Sequence, residues 1–154
     1  MKPFAMLMTP YASTLWLDID CEVLTDLSDL WQLIENDPSI HITPWHEKSQ
    51  KVYREKRVIH GAEKALNSGV VGYSWGCPYM LEWAAQTLIQ HAYFLTDEDL
   101  LSRISFLNEW PLNYLDTLYN WMPHELGYES RAKIYHWMGQ SGKTLLSLRM
   151  NNLI

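Results

Sequence analysis

Two acidic side chains that end a short apolar segment near the N-terminus have the chemistry of a cation site. Asp18 and Asp20 flank Ile19, directly after the segment Leu15-Trp16-Leu17. The apolar segment predicts a buried strand, and side chains alternate along a strand, so the two carboxylates point to the same side. Paired carboxylates suit a hard divalent cation that keeps coordination positions for a substrate phosphate. Asp-x-Asp also ends ordinary strands, so the pattern alone does not establish a metal site.

A second polar group follows a predicted strand near the C-terminus. It combines the imidazole of His136 with Gly139, Gly142 and the ammonium group of Lys143. The glycines predict a tight turn with exposed backbone N–H groups, which together with the lysine could hold a diphosphate. The closing Gly-Lys-Thr resembles the end of a P-loop, but Trp137 stands where that motif has its first glycine, so we reject a P-loop. Taken alone, His136 is more typical of a hydrogen-bonded strand residue.

Two further polar groups are less specific. Asn67 and Ser68 begin a strand that contains glycines, and Asp97 begins a helix with a run of acids. A polar turn explains the first group, and acids at a helix N-terminus explain the second.

The predicted elements that position these groups alternate between strands and helices, which indicates an α/β or α+β domain. With 154 residues, positions 1–154 form a single domain. Strands are predicted at 15–17, 40–43, 66–73 and 132–137, and helices at 27–36, 78–91, 97–107 and from about 143 onward. The charged segment 47–57 is predicted to be an exposed loop, and 110–123 to be irregular.

Composition excludes several classes of protein. The net charge is −6 without a basic tract, which argues against binding nucleic acid or an anionic membrane. Cys21 and Cys77 are too few for a disulfide framework, and neither a signal peptide nor a membrane span is evident, so we expect a cytoplasmic protein. The 8 Trp and 9 Tyr against 3 Phe suit either a core or the faces of sugars.

Together and in order, several segments resemble a known family. They are LWLDIDCEVLTDLSDLW, LNSGVVGYSWG, LTDEDLLS, YNWMP and IYHWMGQSGK. The chain resembles the metal-dependent nucleotide-sugar glycosyltransferases of the GT-A fold, nearest to glycosyltransferase family eight, from about Lys2 to Leu146. The resemblance implies an α/β fold in which helices flank a mixed sheet.

The resemblance also implies roles for the polar groups around the donor. Asp18, Asp20 and His136 match the ligands of Mn²⁺ (or Mg²⁺), and the metal binds the diphosphate of a nucleotide-diphosphate sugar. Gly139 and Lys143 match the loop that contacts this diphosphate. The metal and the lysine would stabilise the negative charge that develops on the leaving diphosphate.

The other matches lie around the transferred sugar. Asn67 and Ser68 match a segment that lines the sugar and acceptor site, and Asp97 matches an acid near the transferred sugar. A carboxylate there could stabilise an oxocarbenium-like sugar carbon. Glu98 replaces a glutamine of the family, which changes a side chain that donates and accepts hydrogen bonds into one that only accepts.

The chain departs from the family before Asp18. Only 17 residues precede it, whereas a single βαβ unit needs about 30. We therefore expect the C-terminal catalytic and acceptor portion of the fold without the half that binds the base. Such a portion leaves the sheet edge at Leu15–Leu17 uncovered, so we expect a homo-oligomer or a partner chain that supplies the missing half. Manganese should bind, and a nucleotide sugar only weakly.

Two alternatives remain open from the sequence. The first is a non-catalytic remnant that binds carbohydrate or protein. The second is a metal-dependent phosphohydrolase that uses Asp18, Asp20 and His136, although further carboxylates are lacking.

Overall fold

A mixed sheet with helices on both faces organises the chain. The structure is a computed structural model that describes residues 2–153. The strands are β1 (Ser13–Leu17), β2 (Cys21–Val23), β3 (His41–Pro44), β4 (Leu66–Ser74), β5 (Asn113–Tyr114) and β6 (Ile134–His136). The helices are α1 (Lys2–Leu7), α2 (Ser28–Asn36), α3 (Glu47–Glu55), α4 (Pro78–Gln90), α5 (Asp97–Leu107), α6 (Pro123–Leu126) and α7 (Gly139–Met150). Short 3₁₀ turns cover His91–Tyr93 and Thr117–Asn120.

The strands form two sheets. The larger has the order β1-β4-β3-β5, with β4 antiparallel to both β1 and β3, and with β3 parallel to β5. The smaller pairs β2 with β6 in antiparallel orientation. It joins the segment after β1 to the C-terminal part of the chain. The polar group that contains Asp20 therefore lies beside the one that contains His136.

The central strand β4 is buried on both faces. On one face, Val71 and Tyr73 pack in an apolar cluster with Trp83 of α4 and Leu100 of α5. On the other face Gly72 lies so close to α2 that an added Cβ would be 2.6 Å from Ile34 Cδ1. The sequence of β4 is continuously apolar over much of its length because helices cover both of its faces.

The predicted fold class and several elements are confirmed. The mixed sheet flanked by helices, the strand 66–73 and the helices 78–91 and 97–107 agree with β4, α4 and α5 within one residue at each end. The last helix begins at Gly139 and not near Lys143. Among residues 2–153, no helix combines the length and the apolar character that crossing a bilayer requires.

The loop predicted over 47–57 is wrong, because this segment forms α3. The imidazole of His46 accepts a hydrogen bond from the Ser49 backbone N–H and caps the helix. Gln50 is buried, donates to the carbonyls of Trp45 and Ala65, and accepts from the Ala65 N–H. Because the inward face of α3 is anchored by a polar side chain, the helical pattern of apolar residues is absent.

Candidate functional site

Pairing of β2 with β6 brings Asp20 and His136 into contact. Cys21 lies opposite His136 in the register, and the Trp137 N–H donates to the Asp20 carbonyl at 2.9 Å. As a result His136 Nε2 lies 3.3 Å from Asp20 Oδ1, and both residues are buried. Two sites predicted from distant parts of the sequence thus form one polar centre.

A chain of hydrogen bonds fixes the proton of His136. Asn67 Oδ1 accepts from the Gly69 N–H at 2.9 Å and from Asn120 Nδ2 at 2.8 Å. The amide oxygen of Asn120 therefore faces His136 Nδ1, at 2.9 Å, and must accept the proton on that nitrogen. Burial, more than any other influence, lowers the pKa of His136 and so favours the neutral ring. The lone pair on Nε2 consequently faces the Asp20 carboxylate.

Two hydrogen-bond acceptors in contact fit a bound cation. A neutral imidazole nitrogen and a carboxylate oxygen are both common metal ligands, and the partner on Nδ1 holds the ring as an outer-shell group does in metal sites. Asp20, Cys21 and His136 offer ligand atoms that all lie within 4.8 Å of one another. However, burial and then Asp18 and Asp20 raise the pKa of the Cys21 thiol to about 12. The donor set that remains, a carboxylate and an imidazole, is one that a divalent cation can bind.

Asp18 has different partners. Its Oδ2 accepts from Lys2 Nζ at 2.8 Å, and its Oδ1 accepts from Trp16 Nε1 at 2.8 Å. The structure thus brings Asp20 and His136 together, while Asp18 forms an ion pair beside them. Lys2 was missed by the sequence reasoning, because its contact with Asp18 depends on the packing of α1 and has no local pattern.

Lys2 also links the residues predicted around the sugar. Its Nζ donates to the carbonyl and the hydroxyl of Ser68, and its backbone N–H donates to Asp97 Oδ2 at 3.0 Å. The side chain of Asn67 is buried in the network that holds His136. Ser68 is buried as well, and donates to Glu98 Oε2 from both N and Oγ. These groups position one another around Asp18 and Asp20.

The buried carboxyl of Glu98 should make the stability of the protein depend on pH. Burial, above all, raises the pKa of the Glu98 carboxyl above its usual value of about 4.5. At pH values between 4.5 and the raised pKa, the carboxyl is therefore ionised in the unfolded chain and still protonated in the folded chain. The free energy of unfolding should therefore fall as pH rises through that window, and Glu98→Gln should remove this part of the dependence. Denaturant unfolding at several pH values checks this, with the exposed Glu35→Gln as control. Parallel profiles for wild type and Glu98→Gln would contradict it.

The residues that the sequence predicts to bind a diphosphate begin beside Asp20. Lys143 Nζ is 3.6 Å from Asp20 Oδ2, and its side chain is 56% exposed. No side-chain hydrogen bond caps α7 at Met138, so backbone N–H groups at its first turn have no such partner. An added Cβ on Gly142 would lie 2.4 Å from the Trp137 carbonyl oxygen, so this glycine lets α7 pack directly against the end of β6.

Asn120→Ala tests the hydrogen-bond chain. Without the amide acceptor, the His136 proton is free to move to Nε2, and Mn²⁺ affinity should fall by about 10- to 100-fold. Metal titration measures the affinity, and ¹⁵N NMR of the imidazole reports which nitrogen carries the proton. Asn108→Ala is the control, because Asn108 caps the end of α5 away from the site. Unchanged affinity and an unchanged tautomer would show that Asn120 has no such role.

Comparisons with known proteins identify the fold. No known family model matches the chain, and no curated protein matches it significantly. Galactosyltransferase LgtC, in complex with donor and acceptor sugar analogues, matches with a TM-score of 0.62 and 18% identity over 96% of this chain and 66% of its own. Mouse xyloside xylosyltransferase 1 matches with a TM-score of 0.57 and 20% identity over 90% of this chain and 62% of its own.

A third solved structure agrees. The glycosyltransferase GlyE of Streptococcus pneumoniae TIGR4 matches with a TM-score of 0.61 and 19% identity over 90% of this chain and 37% of its own. The chain therefore has the fold of GT-A type glycosyltransferases and spans less than two thirds of the length of each of these three. The predicted fold is confirmed.

Proposed function

We propose that this chain is a glycosyltransferase domain that uses a divalent cation to transfer a sugar from a nucleotide-diphosphate donor. The observation that carries the proposal is the contact of two acceptors, His136 Nε2 and Asp20 Oδ1, at 3.3 Å. A cation between the two atoms would make that contact favourable, and the lowered pKa of His136 disfavours the doubly protonated ring that would otherwise pair with Asp20. The fold shared with three glycosyltransferases supports the same class of reaction.

Asp20 and His136 would hold the cation, which supplies positive charge to the donor diphosphate. Lys143 adds a second positive charge beside Asp20, and the uncapped first turn of α7 offers backbone donors to phosphate oxygens. Charge that develops on the leaving nucleoside diphosphate is then stabilised from two directions. Asp97 would face the transferred sugar, and Asn67 positions His136 through Asn120.

Mass spectrometry of reaction products tests the proposal. The chain is incubated with a mixture of nucleotide-diphosphate sugars and Mn²⁺, with and without sugar acceptors. A glycosylated acceptor, or free sugar released together with a nucleoside diphosphate, supports transfer. Binding of a donor with neither product would instead identify a binding module. Phosphate released from simple phosphomonoesters would identify a phosphohydrolase.

Lys143→Ala should slow transfer without weakening metal binding. Losing one positive charge at a developing anion typically costs about 10²- to 10³-fold in rate. The Mn²⁺ affinity should stay equal or rise, because Lys143 competes with the cation for Asp20. Transfer kinetics and metal titration are compared with Lys143→Arg, which keeps the charge, and with Lys51→Ala, an exposed lysine on α3. A rate equal to that of wild type would exclude Lys143 from the diphosphate site.

A further inference from the structure

A second cavity lies at the end of the larger sheet opposite the functional site. Its volume is about 420 Å³, and three segments line it, namely the turn before β3, the start of β5 and the first turn of α4. The lining residues include Asp37, Ser39, Tyr79, Pro111, Leu112 and Asn113. The central strand β4 runs from Asn67 and Ser68, beside the functional site, to Gly72, which pairs with His41 at the start of β3. The two sites are therefore separated by the length of the sheet.

One part of the cavity wall places a carboxylate beside an amide. Asp37 Oδ1 accepts from the backbone N–H and the hydroxyl of Ser39, which fixes the position of the carboxylate. These bonds, the hydroxyl bond first, also lower the pKa of Asp37, so the group is ionised near neutral pH. Asp37 Oδ2 accepts from Asn113 Nδ2 at 3.4 Å, which is long for a hydrogen bond. The second carboxylate oxygen and the amide therefore keep the capacity to bond to a ligand.

The turn that carries Asp37 is supported by the strand beneath it. The side chain of His41 is wholly buried, and its Nε2 lies 3.0 Å from the Asp37 carbonyl oxygen. A carbonyl only accepts, so this nitrogen carries the ring proton and donates it. His41 lies opposite Asn113 in the parallel pairing of β3 with β5, so the same strand pair also positions the amide. The polar groups are thus in place before a ligand arrives, which reduces the entropy lost on binding.

The rest of the lining is largely apolar and includes an aromatic ring. The ring of Tyr79 packs against that of Trp110, with 5.2 Å between the centroids and 44° between the planes. This contact restricts the orientation of the Tyr79 ring. Pro111 and Leu112 extend the apolar lining. The cavity thus combines an oriented aromatic ring, an apolar surface and a pair of polar side chains.

We propose that this cavity binds a sugar residue of a glycan. The C–H groups of a pyranose can pack on an aromatic ring, and its hydroxyl groups can donate to a carboxylate and exchange hydrogen bonds with an amide. The volume lies within the range of about 300–1,000 Å³ that is usual for small-ligand pockets. The charge of Asp37 disfavours an anion such as phosphate, and one carboxylate offers too few ligands for a metal ion.

Sugar binding in this cavity goes beyond the proposed transfer and does not rest on it, because the cavity lies at the other end of the sheet. If the chain also transfers sugars, the cavity would hold a second part of a polymeric acceptor. Two weak sites that one glycan can span bind it more tightly than either site alone.

Chemical-shift mapping with defined sugars tests the proposal. The ¹⁵N-labelled chain is titrated in EDTA with methyl α-glucoside, methyl β-galactoside, N-acetylglucosamine and lactose, and with glycerol as a polyol control. We expect at least one sugar to shift the backbone amides of Ser39 and Asn113 and to leave that of His136 unchanged. Shifts confined to the surroundings of Asp20 and His136, equal shifts with glycerol, or no shifts with any of these sugars would each overturn the proposal.

Two variants test the two parts of the recognition. Asn113→Ala removes the amide, and Tyr79→Leu removes the aromatic ring while it keeps an apolar side chain against Trp110. Each should weaken sugar binding by about 10-fold. Matched controls are Asn151→Ala, at an exposed amide after α7, and Tyr93→Leu, at a ring that is 83% exposed. Wild-type affinity in both Asn113→Ala and Tyr79→Leu would refute the proposed site, whether or not the chain transfers sugars.

Discussion

Asp20→Asn is expected to abolish metal binding and, with it, sugar transfer. The substitution keeps the size of the side chain and removes the negative charge that faces His136 Nε2 at 3.3 Å. Loss of an outer partner of a metal ligand already costs about 10- to 100-fold in affinity, so loss of the ligand charge should cost at least about 100-fold. Mn²⁺ titration and product analysis on the same preparations measure the two effects.

The control for Asp20→Asn separates site chemistry from net charge. Glu35→Gln removes one negative charge from the exposed side of α2 and should leave Mn²⁺ affinity unchanged. Wild-type affinity in Asp20→Asn would refute the proposed ligand. Retained affinity with lost transfer would show instead that the carboxylate acts on the substrate and not on the cation.

Gly69→Ala should both destabilise the protein and disturb the site. An added Cβ would lie 2.2 Å from His136 Cε1 and 2.4 Å from Nδ1, while Asn120 and the central position of β4 restrict movement on either side. Overpacking of this kind costs about 1–3 kcal/mol in the free energy of unfolding. A displaced imidazole should also lower Mn²⁺ affinity by about 10- to 100-fold.

The same strand offers a matched variant. Gly72→Ala places a Cβ 2.6 Å from Ile34 Cδ1, so it should also lower the free energy of unfolding, but on the side of α2. Denaturant unfolding and metal titration of both variants should show a shared loss of stability and a loss of affinity in Gly69→Ala alone. Equal affinities in the two folded variants would mean that Gly69 serves packing only.

The sequence predicted correctly the strand and helices whose residue patterns are complete within their own segments. The strand β4 and the helices α4 and α5 have the composition and spacing of their class, and the two helices begin with recognisable residues, Pro78 and the acids after Thr96. The helix α3 was missed because Gln50 takes the place of an apolar residue on its inward face. Gln50 also bonds to the backbone of Ala65, and a hydrogen bond between residues 15 apart in sequence is invisible to a periodicity argument.

The sequence singled out residues that lie together where chemistry is concentrated in a short segment. Asp20, His136 and Lys143 each stand in a distinctive group and lie together in the structure. Asn120 stands in the segment YNWMP that carried part of the resemblance, and a lone amide among aromatic residues was a signal that was available. Lys2 gave no such signal, since its ion pair with Asp18 exists only once α1 has packed against the sheet.

The small sheet of β2 and β6 determines when the site can form during synthesis. Trp137 Nε1 donates to Glu22 across a separation of 115 residues, and Cys21 pairs with His136 in the same sheet. While the ribosome makes the intervening chain, β2 has no strand to pair with, and Asp20 has neither His136 nor Lys143 beside it. Contacts between such distant residues are slow to form because a long loop must close first. The nascent chain must therefore carry Asp20 without these partners until nearly the whole sequence has been translated, which is the interval in which a chaperone would protect it.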